Sequence, residues 1–168
     1  FVFIDKKYSV EKQIWGGSQE RNRRAGTENV HGILGLGVAL EEVYENLEKM
    51  SEGEGKIHNY LENKLKTEIE KSGKKVQING EKANRIKTTT NVYIEGIDIQ
   101  MLLVALDLRG ICISGGSACM SGSLESSHVL KAMGLTDEEL KGSFRISIGK
   151  DTTVEEINYF VKNLVEII

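Results

Sequence analysis

Cys119 stands in the stretch GGSACMSGS, from Gly115 to Ser123, where glycines and serines leave little apolar surface to bury a thiol. Glycine backbone moves widely, and a hydrated, exposed thiolate is the form of cysteine that acts as a nucleophile. Spacing alone fits two readings, a reactive carrier or an inert surface thiol. Cys112, in GICIS, sits among β-branched residues and reads as core filler. Arg145 lies in SFRIS, flanked at two-residue spacing by Ser143 and Ser147. On a strand those three share the polar face. The guanidinium is then either solvated or a rigidly held fork for a carboxylate. Thr27 follows Arg21, Arg23 and Arg24 in RNRRAGTEN at the start of an apolar repeat. It reads as an N-cap, and a helix start with a hydroxyl is also a natural phosphate site. His31, His58 and His128 have no metal-ligand spacing with the cysteines, so no metal site is expected and they read as surface or capping residues.

The elements that must position these residues follow from periodicity. Phe1, Val2, Phe3 and Ile4 read as a strand, and residues 14–29 as a long loop. A helix is expected from Thr27 to about Met50, with Gly32, Gly35 and Gly37 requiring close packing to offset their cost. SEGEG, residues 51–55, should break it and mark a boundary. Ile57, Leu61, Leu65 and Ile69 predict a second helix, ended by Gly73. Strands are expected in KKVQING, KTTTNVYIEG, ICIS and SFRISIG. Asp98, Ser126 or Ser127, Thr136 with Glu139, and Thr152 or Thr153 with Glu155 or Glu156 should cap the remaining helices. The sum is α+β: helices flanking a small, mostly antiparallel sheet. Residues 1–50 are expected to be the end of one domain, and 51–168 a second that carries the cysteine loop.

Bulk properties narrow the classes. The 168 residues hold 22 basic and 25 acidic side chains, a net −3, which does not suggest a nucleic-acid binder. No apolar run approaches the ~20 residues of a membrane span. The start has no secretory leader, and two cysteines make a poor disulfide framework, so a cytoplasmic setting is expected. Proline is absent. Phe1 opens what reads as a strand without a beginning, so the chain is expected to be part of something longer.

Two blocks, GGSQERNRRAGTENVHGILGLGVALEE and GICISGGSACMSGSLESSHVLKAMGL with KGSFRISIGKDTTVEEINYFV, resemble the C-terminal part of NifS/IscS-type (group I) cysteine desulfurases. NRIKTTTNVYIEG between them also fits. The resemblance implies the small domain, with the last piece of the large domain, of a fold-type I, class V aminotransferase-like enzyme using pyridoxal 5'-phosphate (PLP). Such enzymes convert L-cysteine to L-alanine and leave the sulfur as a persulfide on a loop cysteine. By position that is Cys119, which could also transiently ligate an iron–sulfur cluster. Arg145 matches the arginine that binds the substrate carboxylate. Thr27 matches the threonine that reaches the cofactor phosphate of the neighbouring subunit in a homodimer. The sulfur acceptor would serve iron–sulfur assembly or tRNA thiolation. The cofactor lysine of the family belongs to a motif upstream of Phe1, so no covalent PLP and no turnover are expected of this chain alone. Ser18 and Asn22 stand where glycines are usual, Met120 for threonine, Ser126 for proline and Lys150 for arginine. Another fold-type I enzyme, aminotransferase-like or a selenocysteine lyase, and a non-catalytic scaffold-docking piece are the alternatives.

Overall fold

A computed structural model describes residues 1–115 and 127–168. The chain divides into two compact units, Phe1–Leu47 and Glu48–Ile168. In order, the elements are α1 (Gln19–Asn22), α2 (Val30–Lys71), β1 (Val76–Ile78), β2 (Thr89–Ile94), α3 (Ile99–Asp107), α4 (His128–Ala132), α5 (Asp137–Lys141), β3 (Ser143–Ser147) and α6 (Val154–Ile167). No helix of the described residues is long and apolar enough to cross a membrane.

The second unit is built on an antiparallel sheet of order β1-β2-β3. Alternation sends Val92 and Ile94 of β2, and Phe144 and Ile146 of β3, into the core. Leu61, Leu65 and Ile69 of α2 join them there, with Leu102 and Leu106 of α3 and Phe160, Val161 and Leu164 of α6. The expected caps form. Asp98 accepts from the Gln100 and Met101 amides, Ser127 from that of Leu130, and Thr136–Glu139 and Thr153–Glu156 close reciprocal capping boxes. Gly142 lets the end of α5 approach β2, because a Cβ there would lie 2.7 Å from the Ile94 carbonyl oxygen.

One charged group is drawn into this core. Glu62 of α2 takes two hydrogen bonds from Arg85, at 2.8 and 3.0 Å, and a third from the Thr90 hydroxyl at 2.8 Å. Burial alone would raise the Glu62 pKa. The hydrogen bonds from Arg85 and Thr90, with the charges of His58 and Arg85, outweigh it and leave the carboxyl below its ordinary value. His58, expected at the surface or in a cap, is instead buried one helical turn from Glu62: its Nε2 lies 3.1 Å from Glu62 Oε1, but the alignment misses a hydrogen bond, so the contact is electrostatic only.

Four further expectations fail here. Phe1–Ile4 is not a strand, since no described segment pairs with it and Phe1, Val2 and Phe3 are exposed. SEGEG does not break the helix: α2 continues through it to Lys71. Gly53 and Gly55 keep negative φ, whereas Gly73, past the helix end, takes φ +83°. Glycine permits a left-handed turn without forcing one, and Glu52, Glu54 and Lys56 around it are good helix formers. Thr27 is not the cap of α2. Asn29 is: its side chain accepts from the Gly32 amide at 3.1 Å and its carbonyl from that of Ile33 at 2.9 Å. Finally, no packing offsets Gly35 and Gly37, where an added Cβ would meet nothing within 4 Å.

Candidate functional site

Arg145 is at the middle of β3, exposed, while its neighbours Phe144 and Ile146 are buried. A strand fixed from below by two core side chains holds such a guanidinium on a rigid base. No described side chain pairs with it. It sits between two neighbouring segments, and its backbone hydrogen bonds go to one of them. On one side it lies opposite Asn91 of β2. On the other its amide donates to the Ser114 carbonyl at 2.6 Å, and its carbonyl accepts from the Ser114 amide at 3.0 Å. Ser114 immediately precedes the Gly115-to-Ser123 stretch. Gly115 then passes close over α3, where a Cβ would meet Ile99 and Leu103 at 3.2 Å. Cys119 itself, with Met120 and Ser126, lies outside the described residues.

Cys112 corrects an expectation. It is an exposed free thiol and not core filler. ICIS forms no full strand, only the Ser114–Arg145 bridge. The two-residue period explains the exposure: Ile111 and Ile113 pack against the core, so Cys112 between them faces away. Burial of Cys112 therefore does not separate the two cysteines, and the case for Cys119 rests on its glycine- and serine-rich sequence and on the family resemblance.

In the first unit, Thr27 is exposed on a turn organised by Arg24. The Arg24 guanidinium donates to the carbonyls of Gly26 at 3.0 Å and Thr27 at 3.3 Å, and to Glu28 at 2.8 Å. Glu20 adds a looser ion pair at 3.8 Å. Gly26 supplies the left-handed φ of +100° that the turn requires, and buried Ala25 pins it, its amide donating to the Ile14 carbonyl at 3.2 Å. Arg24 is thus spent on its own loop. Nothing in the sequence signalled that role, because the four-residue spacing of Glu20, Arg24 and Glu28 pairs charges on a helix and this segment is a turn. Asn22, standing where a glycine is usual, adopts φ +64°, a conformation asparagine tolerates better than most side chains.

A profile for the aminotransferase class-V family matches residues 4–160. The chain belongs to this family. A cysteine desulfurase of Trichormus azollae is 43% identical over 167 residues, which cover 99% of this chain and 41% of that protein. Cysteine desulfurase IscS of Dictyoglomus turgidum is 40% identical over the same coverage. The chain thus spans about two fifths of the length of these relatives. The X-ray structure of a NifS-like protein from Rickettsia africae ESF-5 superposes with a TM-score of 0.78 at 33% identity, over 95% of this chain and 40% of that one. The small antiparallel sheet with its helices is therefore the class-V fold, as the sequence resemblance implied.

Members of this class work with PLP. The donor set here fits a supporting share of such a site. An exposed hydroxyl on a fixed, glycine-bearing turn suits a phosphate, and an exposed guanidinium on a rigid strand suits a carboxylate.

Proposed function

We propose that the chain is the C-terminal part of a PLP-dependent cysteine desulfurase, with residues 51–168 as its small domain. When bound, PLP supplies the electron sink that lets the carbon–sulfur bond of L-cysteine break. Arg145 holds the substrate carboxylate with a bidentate, charge-assisted contact. Thr27 donates to the cofactor phosphate of the neighbouring subunit in a homodimer, its turn held in shape by Arg24. The Cys119 thiolate attacks the substrate sulfur, takes it as a persulfide, and L-alanine leaves. A scaffold protein for iron–sulfur clusters or a tRNA-thiolation partner then accepts the sulfur. A reducing compartment such as the cytoplasm suits a carrier that must stay a thiol between turnovers.

The observation that supports this most is the two-way backbone bond between Arg145 and Ser114. Carboxylate anchor and carrier segment share one rigid support. Cys119 is five residues beyond Ser114, a length of chain that spans at most roughly 17 Å. The test is Arg145→Ala in the complete enzyme. Loss of one charge-assisted contact should weaken cysteine use by about 2–3 kcal/mol in kcat/KM, with cofactor absorbance unchanged. An unaltered kcat/KM would return Arg145 to an ordinary surface arginine.

A further inference from the structure

The polar face of the sheet carries a run of side-chain hydrogen bonds whose direction is fixed at one end. The Ser143 hydroxyl donates to the Glu139 carbonyl at 2.6 Å. A carbonyl only accepts, so the Ser143 proton is committed there and its oxygen is left to accept. It accepts from Asn79 Nδ2 at 3.2 Å. That fixes which end of the buried Asn79 amide is nitrogen, and its oxygen correspondingly accepts from Gln77 Nε2 at 3.1 Å. The second proton of Asn79 Nδ2 goes to Asn91 Oδ1 at 2.7 Å. The Asn91 amide is therefore held one way round, with its oxygen toward Asn79 and its NH2 group turned from it.

Asn91 is the residue directly opposite Arg145 in the β2–β3 register. Such cross-strand neighbours share a face with Cβ atoms about 5 Å apart. Among the described residues, nothing accepts from Asn91 Nδ2. The register thus puts two side chains that end in donors, a guanidinium fork and an amide NH2, at facing positions on one face of the sheet. A planar anion with two oxygens matches that pair.

We propose that Asn91 is a second donor to the substrate carboxylate held by Arg145, and that Ser143 and Asn79 are positioning residues that decide which end of the Asn91 amide is presented. The proposal rests on the reading of Arg145 as the carboxylate anchor. It explains why an ordered amide relay runs from the backbone of α5 to the neighbour of an exposed arginine.

Asn91→Asp is the sharpest variant. It keeps size and an acceptor for Asn79, but it removes both donors and sets a negative charge beside the incoming carboxylate. In the complete enzyme the KM for L-cysteine should rise roughly 10- to 100-fold, the equivalent of a lost charge-assisted hydrogen bond, with kcat within about 3-fold. The urea midpoint should be unchanged. Ser143→Ala, which frees the relay without touching the site, should raise KM by roughly 3-fold, about half the free energy of the low end of that range. Arg145→Ala is measured alongside. A normal KM in both Asn91→Asp and Ser143→Ala, with KM raised in Arg145→Ala, overturns the role of Asn91 and leaves the anchor standing. A normal KM in all three overturns the anchor as well.

Discussion

The two halves of α2 carry similar apolar repeats and meet opposite fates. In the Glu48–Ile168 unit, Leu61, Leu65 and Ile69 are exposed by 1% or less. In the Phe1–Leu47 unit, Leu34 is 64% exposed and Val38 66%. Periodicity specifies a helix and the side of it that seeks cover; it does not supply the cover. For the second half, sheet and helices within the same unit provide it. For the first half, nothing among the described residues does. Stability should accordingly be concentrated in the second unit, while the first contributes the Thr27 turn.

Removing the buried charge cluster should show an effect as large as any. Glu62→Ala leaves half-buried Arg85 and buried Thr90 without their partner and should cost about 3 kcal/mol by urea unfolding at neutral pH. The same group sets an acid limit. The folded pKa of Glu62 lies below its ordinary value, so its contribution is complete above about pH 4.5 and fades as pH falls through the folded pKa. Glu62→Gln should remove that part of the acid sensitivity, read from urea midpoints at descending pH. Equal slopes in both proteins would mean that other carboxylates carry it.

Next comes the comparison itself, taken along one helix. Leu65→Ala should cost about 3 kcal/mol through transfer and cavity terms. Leu34→Ala in this chain should stay within about 0.5 kcal/mol. Similar losses at both positions would show that the first half is covered in solution. The smallest expected effect is a gain. Gly53→Ala and Gly55→Ala meet open space at negative φ, so each should stabilise α2 by about 0.5–1 kcal/mol, seen as raised helicity and midpoint. A loss would restore the break expected at SEGEG.

Local chemistry was legible where one residue decides it. Thr136 with Glu139 announced its helix start, the Thr152–Thr153 pair announced the last helix to within one residue, and alternation placed Phe144 and Ile146 inward. The same alternation, applied to ICIS, would have turned Cys112 outward, but its β-branched neighbours suggested burial on both faces. SEGEG misled because glycine composition marks freedom, and the backbone did not use it. Phe1–Ile4 has strand composition but no partner among the described residues, and pairing is what makes a strand. The Asn79–Asn91 relay was out of reach for a different reason. Its members are 12 residues apart and meet only once β1 and β2 are in register.

Since both cysteines escape burial arguments, the central claim needs a direct assignment of the sulfur. The complete enzyme, incubated with L-cysteine, trapped with an alkylating reagent and digested, separates the two thiols by peptide mass. The expected result is one added sulfur on the peptide containing Cys119 and none on that of Cys112. Cys119→Ser should abolish it, while Cys112→Ser, at an exposed position, should leave turnover intact and stability within about 0.5 kcal/mol. Added sulfur on Cys112, or full alanine production by Cys119→Ser, would contradict the role given to Cys119.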